Sequence, residues 1–159
     1  MNLKKILIGT GIGGAIIAGV TYAFRLKRTS VQLETFAKVE IFKLDLSGLV
    51  LRVDVQLKNP TATKFNIKFP FVKLIYKDVT VGSSQVQNKD IAIPAYGEAV
   101  AEKIMITIPP RNIFSVSAGL IESLLAGESA ILDSTTITTI DLGWKKIPYE
   151  KKEQITLKK

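Results

Sequence analysis

The sequence predicts a mainly β protein, in which an antiparallel β-sandwich with one late α-helix follows a single membrane-spanning helix. Three observations predict this organisation. Uncharged residues run without interruption from Ile6 to Phe24, apolar and polar residues alternate over strand-length segments of the remainder, and helical spacing replaces that alternation once, after Pro109-Pro110. We therefore divide the chain into a membrane anchor at 1–28, a short linker at 29–35 and a sandwich domain at 36–159.

The uncharged run has the length of a membrane-spanning helix. Its 19 residues, at about 1.5 Å each, cover roughly 28 Å, close to the ~30 Å thickness of the hydrocarbon layer. Basic residues flank the run and aromatic residues occupy its second end, which is typical of contacts with lipid head groups. The predicted membrane-interface residues are Lys4, Lys5, Tyr22, Phe24, Arg25, Lys27 and Arg28. A cleaved signal peptide is the open alternative, with Thr21-Tyr22-Ala23 as a weak cleavage site.

Glycines within this run admit two interpretations. Gly9, Gly11 and Gly14 match the G-x-G-x-x-G pattern of a dinucleotide-binding loop. That loop must be followed by a helix with a polar face, and this run has none, so we predict no bound nucleotide. In a membrane helix, small residues instead let helices approach closely, which predicts packing against a second copy or another membrane protein. The predicted packing positions are Gly9, Gly11, Gly13, Ala15 and Gly19.

Composition excludes several kinds of chemistry. The chain has no cysteine and no histidine, which excludes disulfides, thiolate nucleophiles and histidine-based acid–base catalysis. Its acidic residues are scattered, mostly on the polar phase of the alternating segments. We therefore predict no catalytic residue, no metal site and no cofactor, and we expect that the protein is not an enzyme.

The net charge of +8 lies largely beside the apolar run. Five basic residues flank that run, so the remaining 17 basic and 14 acidic residues leave +3, an ordinary value for a soluble surface. A basic cluster near the end consists of Lys145, Lys146, Lys151, Lys152, Lys158 and Lys159, beside Trp144 and Tyr149. We interpret it as the solvated face of a strand, with anionic head groups as a further contact, and expect no nucleic-acid partner.

Segments of alternating apolar and polar residues, separated by turn residues, predict the strands of the domain. FAKVEIFKLDLSG is the first, and LVLRVDVQLKNP is the second, with Leu51, Val53, Val55 and Leu57 on its buried face and Asn59-Pro60 at its end. TKFNIKF repeats the alternation. VKLIYKDVTV is predicted as one strand that ends at a Gly82-Ser83-Ser84 turn, and KDIAIPAYG and AVAEKIMITIPP are joined around Gly97. AILDSTTITTIDLG and KKIPYEKKEQITL complete the set.

One helix is predicted between the segments AVAEKIMITIPP and AILDSTTITTIDLG. Ile113, Val116, Leu120 and Leu124 recur at helical spacing, and Asn112 is the predicted N-cap. Gly127 suits the position just past the helix. We expect the apolar stripe of this helix to pack against the core; the alternative is a helix that covers a lipid- or peptide-binding cleft between the sheets. Seven or eight short strands with one late helix predict a sandwich of the immunoglobulin or fibronectin-III type.

Three segments of the domain form a recognisable series: LRVDVQLKNPTATKFNIKFPFVKLIYKDVTVGSS, IAIPAYGEAVAEKIMITIP and IPYEKKEQITL. In this order they resemble the late embryogenesis abundant group-2 proteins, also called the water-stress and hypersensitive-response (WHy) domain. The resemblance extends from Phe36 to Leu157 and implies a seven-stranded sandwich with a helix, no known catalytic centre and a role in stress protection, often at membranes. Its motif positions, which we interpret as structural, are Asn59, Pro60, Pro94, Gly97 and Pro148.

The expected function is that of a non-enzymatic, membrane-anchored domain with a binding, scaffolding or stress-protective role resembling that of WHy proteins. The alternative is a minor structural protein of a membrane-containing assembly, such as a lipid-containing virion or a secretion or conjugation complex. The expected partners are the lipid bilayer and, through the glycine-rich helix, the chain itself or other membrane proteins. We expect a single-pass protein whose C-terminal domain lies on the non-cytoplasmic side, or in a virion membrane.

Overall fold

The computed structural model describes the backbone of residues 3–10, 15–22, 32–111 and 115–159, and the side chains of the last two ranges. The strands are β1 (Leu3–Thr10), β2 (Ala15–Tyr22), β3 (Glu34–Asp45), β4 (Gly48–Lys58), β5 (Phe65–Lys68), β6 (Phe71–Tyr76), β7 (Val79–Ser83), β8 (Asp90–Ile93), β9 (Glu98–Ile108), β10 (Ala130–Asp141) and β11 (Lys146–Leu157). One helix, α1 (Val116–Leu125), lies between β9 and β10. The prediction of a mainly β chain with a late helix is confirmed.

These strands form two sheets in which every described pair is antiparallel. The smaller sheet has the order β3-β4-β9. In the larger sheet β11 pairs with β10, and β5 and β6 lie end to end along the other side of β10, because Ile140 pairs with Ile67 and Ile137 pairs with Phe71. Strand β8 pairs with the outer edge of β5, and β7 pairs with the outer edge of β6. The break between β5 and β6 falls at Phe69-Pro70, where proline cannot donate to the ladder.

The hydrophobic core lies between the two sheets. Leu51, Val53, Val55 and Leu57 on β4 are each 0% exposed, so the alternation predicted for this strand is confirmed. Buried side chains of β9 lie beside them in the same sheet, and those of β6, β10 and β11 in the larger sheet belong to the same core cluster. This arrangement follows from the period-2 pattern, which places one whole side of each strand against the other sheet.

Helix α1 closes one end of the core. Its Leu120, Ile121 and Leu124 are buried, as the predicted apolar stripe requires. The helix begins after Ser115, whose hydroxyl accepts a hydrogen bond from the Ala118 N–H at 3.1 Å, whereas the predicted N-cap, Asn112, lies outside the described residues.

The C-terminal end of α1 has the geometry that the sequence predicts. Gly127 has a φ of +81°, the left-handed conformation that ends many helices. The N–H of Glu128 donates to the carbonyl oxygen of Ser123 at 3.0 Å, and that of Gly127 donates to Leu124 at 3.1 Å. This pair of bonds is a Schellman motif, which satisfies two carbonyl groups that the helix itself leaves unpaired.

The segment VKLIYKDVTV is not the single strand that the sequence predicted. Lys77 and Asp78 have φ values of 47° and 62°, and they form a two-residue turn that joins β6 to β7. Turns with two positive φ values match the twist of a hairpin, and lysine gives no sequence signal for one. Gly82, predicted in a turn, lies in β7, where a Cβ would come within 2.9 Å of Ile106 and of Ile108.

The segment predicted as a membrane-spanning helix contains two strands, β1 and β2. They pair with each other, and Ala15–Ala18 of β2 pair with Gln154–Leu157 of β11. Among the described residues no helix is long and apolar enough to cross a membrane. The helical part of the prediction is therefore not supported: hydropathy measures preference for lipid, whereas isoleucine, valine, threonine and glycine all disfavour a helix in water.

The sandwich itself begins slightly before the predicted domain start at 36. Strand β3 begins at Glu34, and Leu33 is 1% exposed within the core. Leu33 lies on the same phase as Ala37 and Val39, which are also buried, so the alternation itself extends back to Leu33. Residues 33–35, predicted as part of the linker, therefore belong to the packed domain.

Candidate functional site

The turn after β4 is held by the side chain of Asn59, which is 1% exposed. Its amide nitrogen donates to the carbonyl oxygens of Thr63 at 2.8 Å and Pro94 at 3.0 Å. Its amide oxygen accepts from the N–H of Thr61 at 2.9 Å and from the Thr61 hydroxyl at 2.6 Å. One buried amide therefore satisfies its own turn and also joins that turn to the connection between β8 and β9.

Backbone hydrogen bonds strengthen this junction. The N–H of Asn59 donates to Gly97 at 2.9 Å, and the N–H of Tyr96 donates to Thr61 at 2.9 Å. Gly97 is needed because a Cβ there would lie 2.3 Å from Cγ of Pro94. We call Asn59, Thr61, Pro94 and Gly97 the turn junction. Three of the five motif positions that carry the family resemblance thus contact one another.

The other two motif positions lie apart from these contacts. Pro60 follows Asn59 and is half-buried. Pro148 is exposed in β11 and pairs with Thr139 of β10. Its pyrrolidine ring therefore belongs to the outer face of the larger sheet.

A shallow groove of about 460 Å³ lies beside the turn junction. It runs between the β8–β9 connection and the β10–β11 connection, and its lining residues are Lys64, Phe65, Asn66, Ala92, Ile93, Pro94, Asp141, Leu142 and Gly143. In the part of the chain whose side chains are described, no cluster of three or more acidic residues could hold a metal ion. The groove is open and carries few polar groups.

A buried ion pair lies on β11, the strand that pairs with β10 in the larger sheet. Lys151 Nζ is 3.0 Å from Glu153 Oε2, and the two side chains are only 1% and 2% exposed. The Lys151 ammonium also lies 4.8 Å from the centre of the Phe36 ring, at the range of a cation–π contact. Two charges out of water are tolerated only when further polar partners surround them.

Those further partners are backbone groups of β3. Glu153 Oε1 accepts a hydrogen bond from the N–H of Ala37 at 2.7 Å, and Lys151 Nζ donates to the carbonyl oxygen of Thr35. Among the described strands β3 pairs with β4 on one side only, so its other edge presents unpaired backbone groups. The two charged side chains of β11 act there as a neighbouring strand would. We call Thr35, Ala37, Lys151 and Glu153 the edge clasp.

Tyr149 extends the edge clasp toward the start of β11. Its hydroxyl lies 3.0 Å from the Thr35 hydroxyl, and its side chain is buried. Burial raises the pKa of Tyr149 to about 12, partly offset by the hydrogen bond to Thr35 and reinforced by the negative charges of Glu153 and Glu34. The neutral phenol is therefore the form that the fold selects.

Hydroxyl groups of β10 continue this polar band inside the sandwich. Ser134, Thr136 and Thr138 pair across the strands with Glu153, Lys151 and Tyr149, respectively. The hydroxyls of Ser134 and Thr136 are buried without a hydrogen-bond partner among the described residues. The alternation of β10 and β11 thus buries a polar stripe rather than a purely apolar one.

The sequence interpretation missed this cluster. It treated the lysines near the end as one solvated face, and Lys145, Lys146, Lys152, Lys158 and Lys159 are indeed exposed, but Lys151 is 3% exposed. The alternation along β11 could have revealed the buried pair, because every second residue from Ile147 to Leu157 lies on one face of the strand. These residues are all buried: Ile147, Tyr149, Lys151, Glu153, Ile155 and Leu157. A lysine and a glutamate two positions apart on an otherwise apolar phase point to a buried pair.

The predicted membrane residues are only partly described. Lys4, Lys5 and Gly9 lie on β1, and Ala15, Gly19 and Tyr22 lie on β2. The remainder lie outside the described residues: Gly11, Gly13, Phe24, Arg25, Lys27 and Arg28. Their proposed roles in helix packing and in contact with head groups remain predictions.

Comparisons with known proteins support the fold and leave the function open. No protein-family model matches the chain, and no curated protein matches it. Among solved structures, the chain is similar to a protein from Archaeoglobus fulgidus, with a TM-score of 0.52 and 10% identity over 78% of this chain and 95% of that one. At this identity the likeness concerns the fold alone.

Two further solved structures show weaker likeness. One is a late embryogenesis abundant protein, with a TM-score of 0.43 and 15% identity over 80% of this chain and 71% of that one. The other is a glycoside hydrolase family 2 β-glucuronidase, with a TM-score of 0.43 and 16% identity over 73% of this chain but only 11% of that one. TM-scores of 0.43 are too low to establish a shared fold.

Proposed function

We propose that the protein is a non-enzymatic domain tethered to a lipid bilayer, with a binding or stress-protective role of the WHy type. The proposal of a membrane tether rests on the run of 19 uncharged residues from Ile6 to Phe24. Basic residues flank this run on both sides: Lys4 and Lys5 before it, and Arg25, Lys27 and Arg28 after it. Transfer of such a run from water to hydrocarbon is strongly favourable.

The structure has strands β1 and β2 over this run, so the proposal requires that the segment is helical in a bilayer. In hydrocarbon no water can bind the backbone, and a single segment satisfies all its own N–H and C=O groups only as a helix. The sheet edge of β11 at Gln154–Leu157 would then lose its partner β2 and keep its partner β10.

The turn junction supports the WHy-type part of the proposal. Asn59 is 35 positions before Pro94 in the sequence, yet the structure brings it into hydrogen-bond contact with Pro94 and Gly97, which belong to one turn. The Asn59 amide and the backbone groups of Pro94 and Gly97 are hydrogen-bonded to one another, so these motif positions stabilise the domain and do not present groups to a substrate. A rigid sandwich held near a membrane suits a spacer or a binding module.

The tether is tested by reconstituting the full chain into phosphatidylcholine vesicles and washing them with alkaline carbonate. We expect the full chain to stay with the vesicles and a fragment of residues 29–159 to stay in solution. The variant Ile16→Lys should lower retention, because a central lysine costs about 2.5–3.5 kcal/mol in a membrane helix, whereas Ile16→Leu should not. Complete release of the full chain would overturn the tether.

A further inference from the structure

One end of the sandwich carries three connections and the start of β3. The ladder pairs Glu34 with Lys58 and Lys58 with Glu98, which places the start of β3, the end of β4 and the start of β9 in one row. Asp141 at the end of β10 pairs with Asn66. We call this the turn end; it includes residues 59–64, 94–97 and 142–145.

The start of β11 belongs to the same end. The hydroxyl of Tyr149 contacts that of Thr35, and Glu153 contacts Ala37, so β11 and β3 run in the same direction on facing sheets. The β10–β11 connection therefore lies beside the β8–β9 connection, and the groove between Pro94 and Gly143 spans the two. The β3–β4 and β6–β7 turns lie at the opposite end.

Two large aromatic side chains project from the turn end. Tyr96 and Trp144 are each 74% exposed, although each sits in a turn with defined geometry. Tyr96 has a φ of 53° and its N–H is bonded to Thr61. Trp144 lies within a turn closed by the Leu142 N–H, which donates to the Lys145 carbonyl oxygen at 2.9 Å. Tyrosine and tryptophan, with an apolar ring and a polar tip, are the residues enriched at interfaces and at membrane boundaries.

Lysines surround these aromatic residues. Lys64 lines the groove and Lys145 and Lys146 follow Trp144; all three are exposed, and Asp141, which pairs with Lys146 across the ladder, accepts a hydrogen bond from the Gly143 N–H at 2.8 Å. Lys58 stands between Glu34 and Glu98 in the ladder, so this row of one lysine and two glutamates carries a net charge of −1. Beside Trp144, Lys64, Lys145 and Lys146 against the single acid Asp141 leave a net charge of +2.

We propose that the turn end docks on anionic lipid head groups, with Trp144 and Tyr96 at the interface and Lys64, Lys145 and Lys146 facing the lipid charges. Indole and phenol rings prefer the boundary between hydrocarbon and water, and each lysine near an anionic surface contributes about 1 kcal/mol, roughly a fivefold change in the docking equilibrium. The inference rests on the proposed tether, which would make the bilayer the nearest partner.

Chain length makes this contact geometrically available. Seven residues, 25–31, separate the apolar run from Gln32 at the turn end. Fully extended they reach at most about 25 Å. A tethered sandwich would therefore keep its turn end close to the membrane, which raises the effective concentration of head groups at Trp144.

The test uses Trp144 as its own reporter, since it is the only tryptophan in the chain. The full chain is reconstituted into vesicles of phosphatidylcholine alone or with added phosphatidylglycerol, and emission and quenching by lipids brominated near the head group are recorded. We expect a blue shift and quenching in the anionic vesicles that weaken as salt is raised. Lys145→Glu with Lys146→Glu should weaken docking roughly thirtyfold or more, from about 1 kcal/mol for each lysine.

The matched control reverses two lysines at the opposite end, Lys43→Glu with Lys77→Glu, and should leave Trp144 quenching unchanged. Vesicles that retain the chain through carbonate while Trp144 stays water-exposed and unquenched would overturn the docking inference and leave the tether standing. If carbonate releases the chain but Trp144 is quenched in the untreated anionic vesicles, the tether would be overturned and the docking inference would stand. Equal quenching in neutral and anionic vesicles would also overturn the role of the lysines.

Discussion

The turn junction and the edge clasp solve the same problem with different side chains. In both, side-chain atoms take the place of a missing backbone partner, because buried N–H and C=O groups must be paired. The turn junction uses the neutral amide of Asn59 where β4 ends. The edge clasp uses the charges of Lys151 and Glu153 where the sheet ends at β3.

The neutral amide and the charged pair suit different places in the fold. An asparagine can satisfy a turn locally, since its donors and acceptors match the two sides of a peptide group. The free edge of β3 belongs to the smaller sheet, and the long side chains of Lys151 and Glu153 on β11 reach it from the larger one. A charged pair is then needed because a lone buried charge would be very costly. The clasp should therefore be the more fragile region when one member is removed.

The largest expected effect is at the edge clasp. Glu153→Ala leaves the Lys151 ammonium buried without its counter-charge and the Ala37 N–H without an acceptor, so the free energy of unfolding should fall by about 3–5 kcal/mol. Urea denaturation followed by circular dichroism measures it. Glu150→Ala removes an exposed carboxylate of the same strand that lies 3.8 Å from Lys152 Nζ, and should cost no more than about 1 kcal/mol. Equal losses would contradict a buried pair.

Removing the central amide of the turn junction should cost less. Asn59→Ala deletes two donated and two accepted hydrogen bonds in a buried turn. We expect a loss of about 2–3 kcal/mol in the free energy of unfolding, because the carbonyl groups left behind regain water only in part. The exposed Asn66→Ala in β5 is the control, with a change of about 0.5 kcal/mol or less. A larger loss at Asn59 than at Glu153 would reverse the comparison between the two regions.

Alkaline pH should weaken the edge clasp selectively. The pKa of Tyr149 is raised from 10.0 to about 12, so the folded protein holds this proton more tightly than the unfolded chain. The resulting stability is fully present below pH 10 and is lost as pH rises toward 12, to a total on the order of 2 kcal/mol. Denaturation at successive pH values measures the slope, and Tyr149→Phe should flatten it. An unchanged slope in that variant would assign the pH dependence to other groups.

The smallest expected effect is a steric one at the turn junction. Gly97→Ala places a Cβ 2.3 Å from Cγ of Pro94, and the exposed proline ring must shift, at a cost of about 1–2 kcal/mol. Gly119→Ala in α1 meets nothing within 4 Å and should stabilise the protein by about 0.5–1 kcal/mol. Thermal unfolding of the two variants should thus move in opposite directions. A stabilising Gly97→Ala would show that the junction is looser than its contacts imply.

Parts of this structure were predictable because their cause is local. The buried phase of β4 follows from Leu51, Val53, Val55 and Leu57 alone, and Gly127 marks the end of α1 through its freedom to adopt a positive φ. The hairpin at Lys77-Asp78 was not predicted, since aspartate suits such a turn but lysine gives no signal for one, and the pairing of β6 with β7 selects it. Of the candidate sites, the motif residues were recognised but their mutual contact was not.

The sequence by itself determined which side of each strand is apolar, where most strands and the helix end, and that the chain carries a lipid-compatible run. Periodicity, turn residues and hydropathy are properties of neighbouring residues, so no fold is needed to read them. Only the tertiary structure decided that Lys151 and Glu153 are buried, that Asn59 reaches Pro94, and that Tyr96 and Trp144 share one end. Each of these depends on which strands become neighbours, and hydrogen-bonded registers between distant segments decide that.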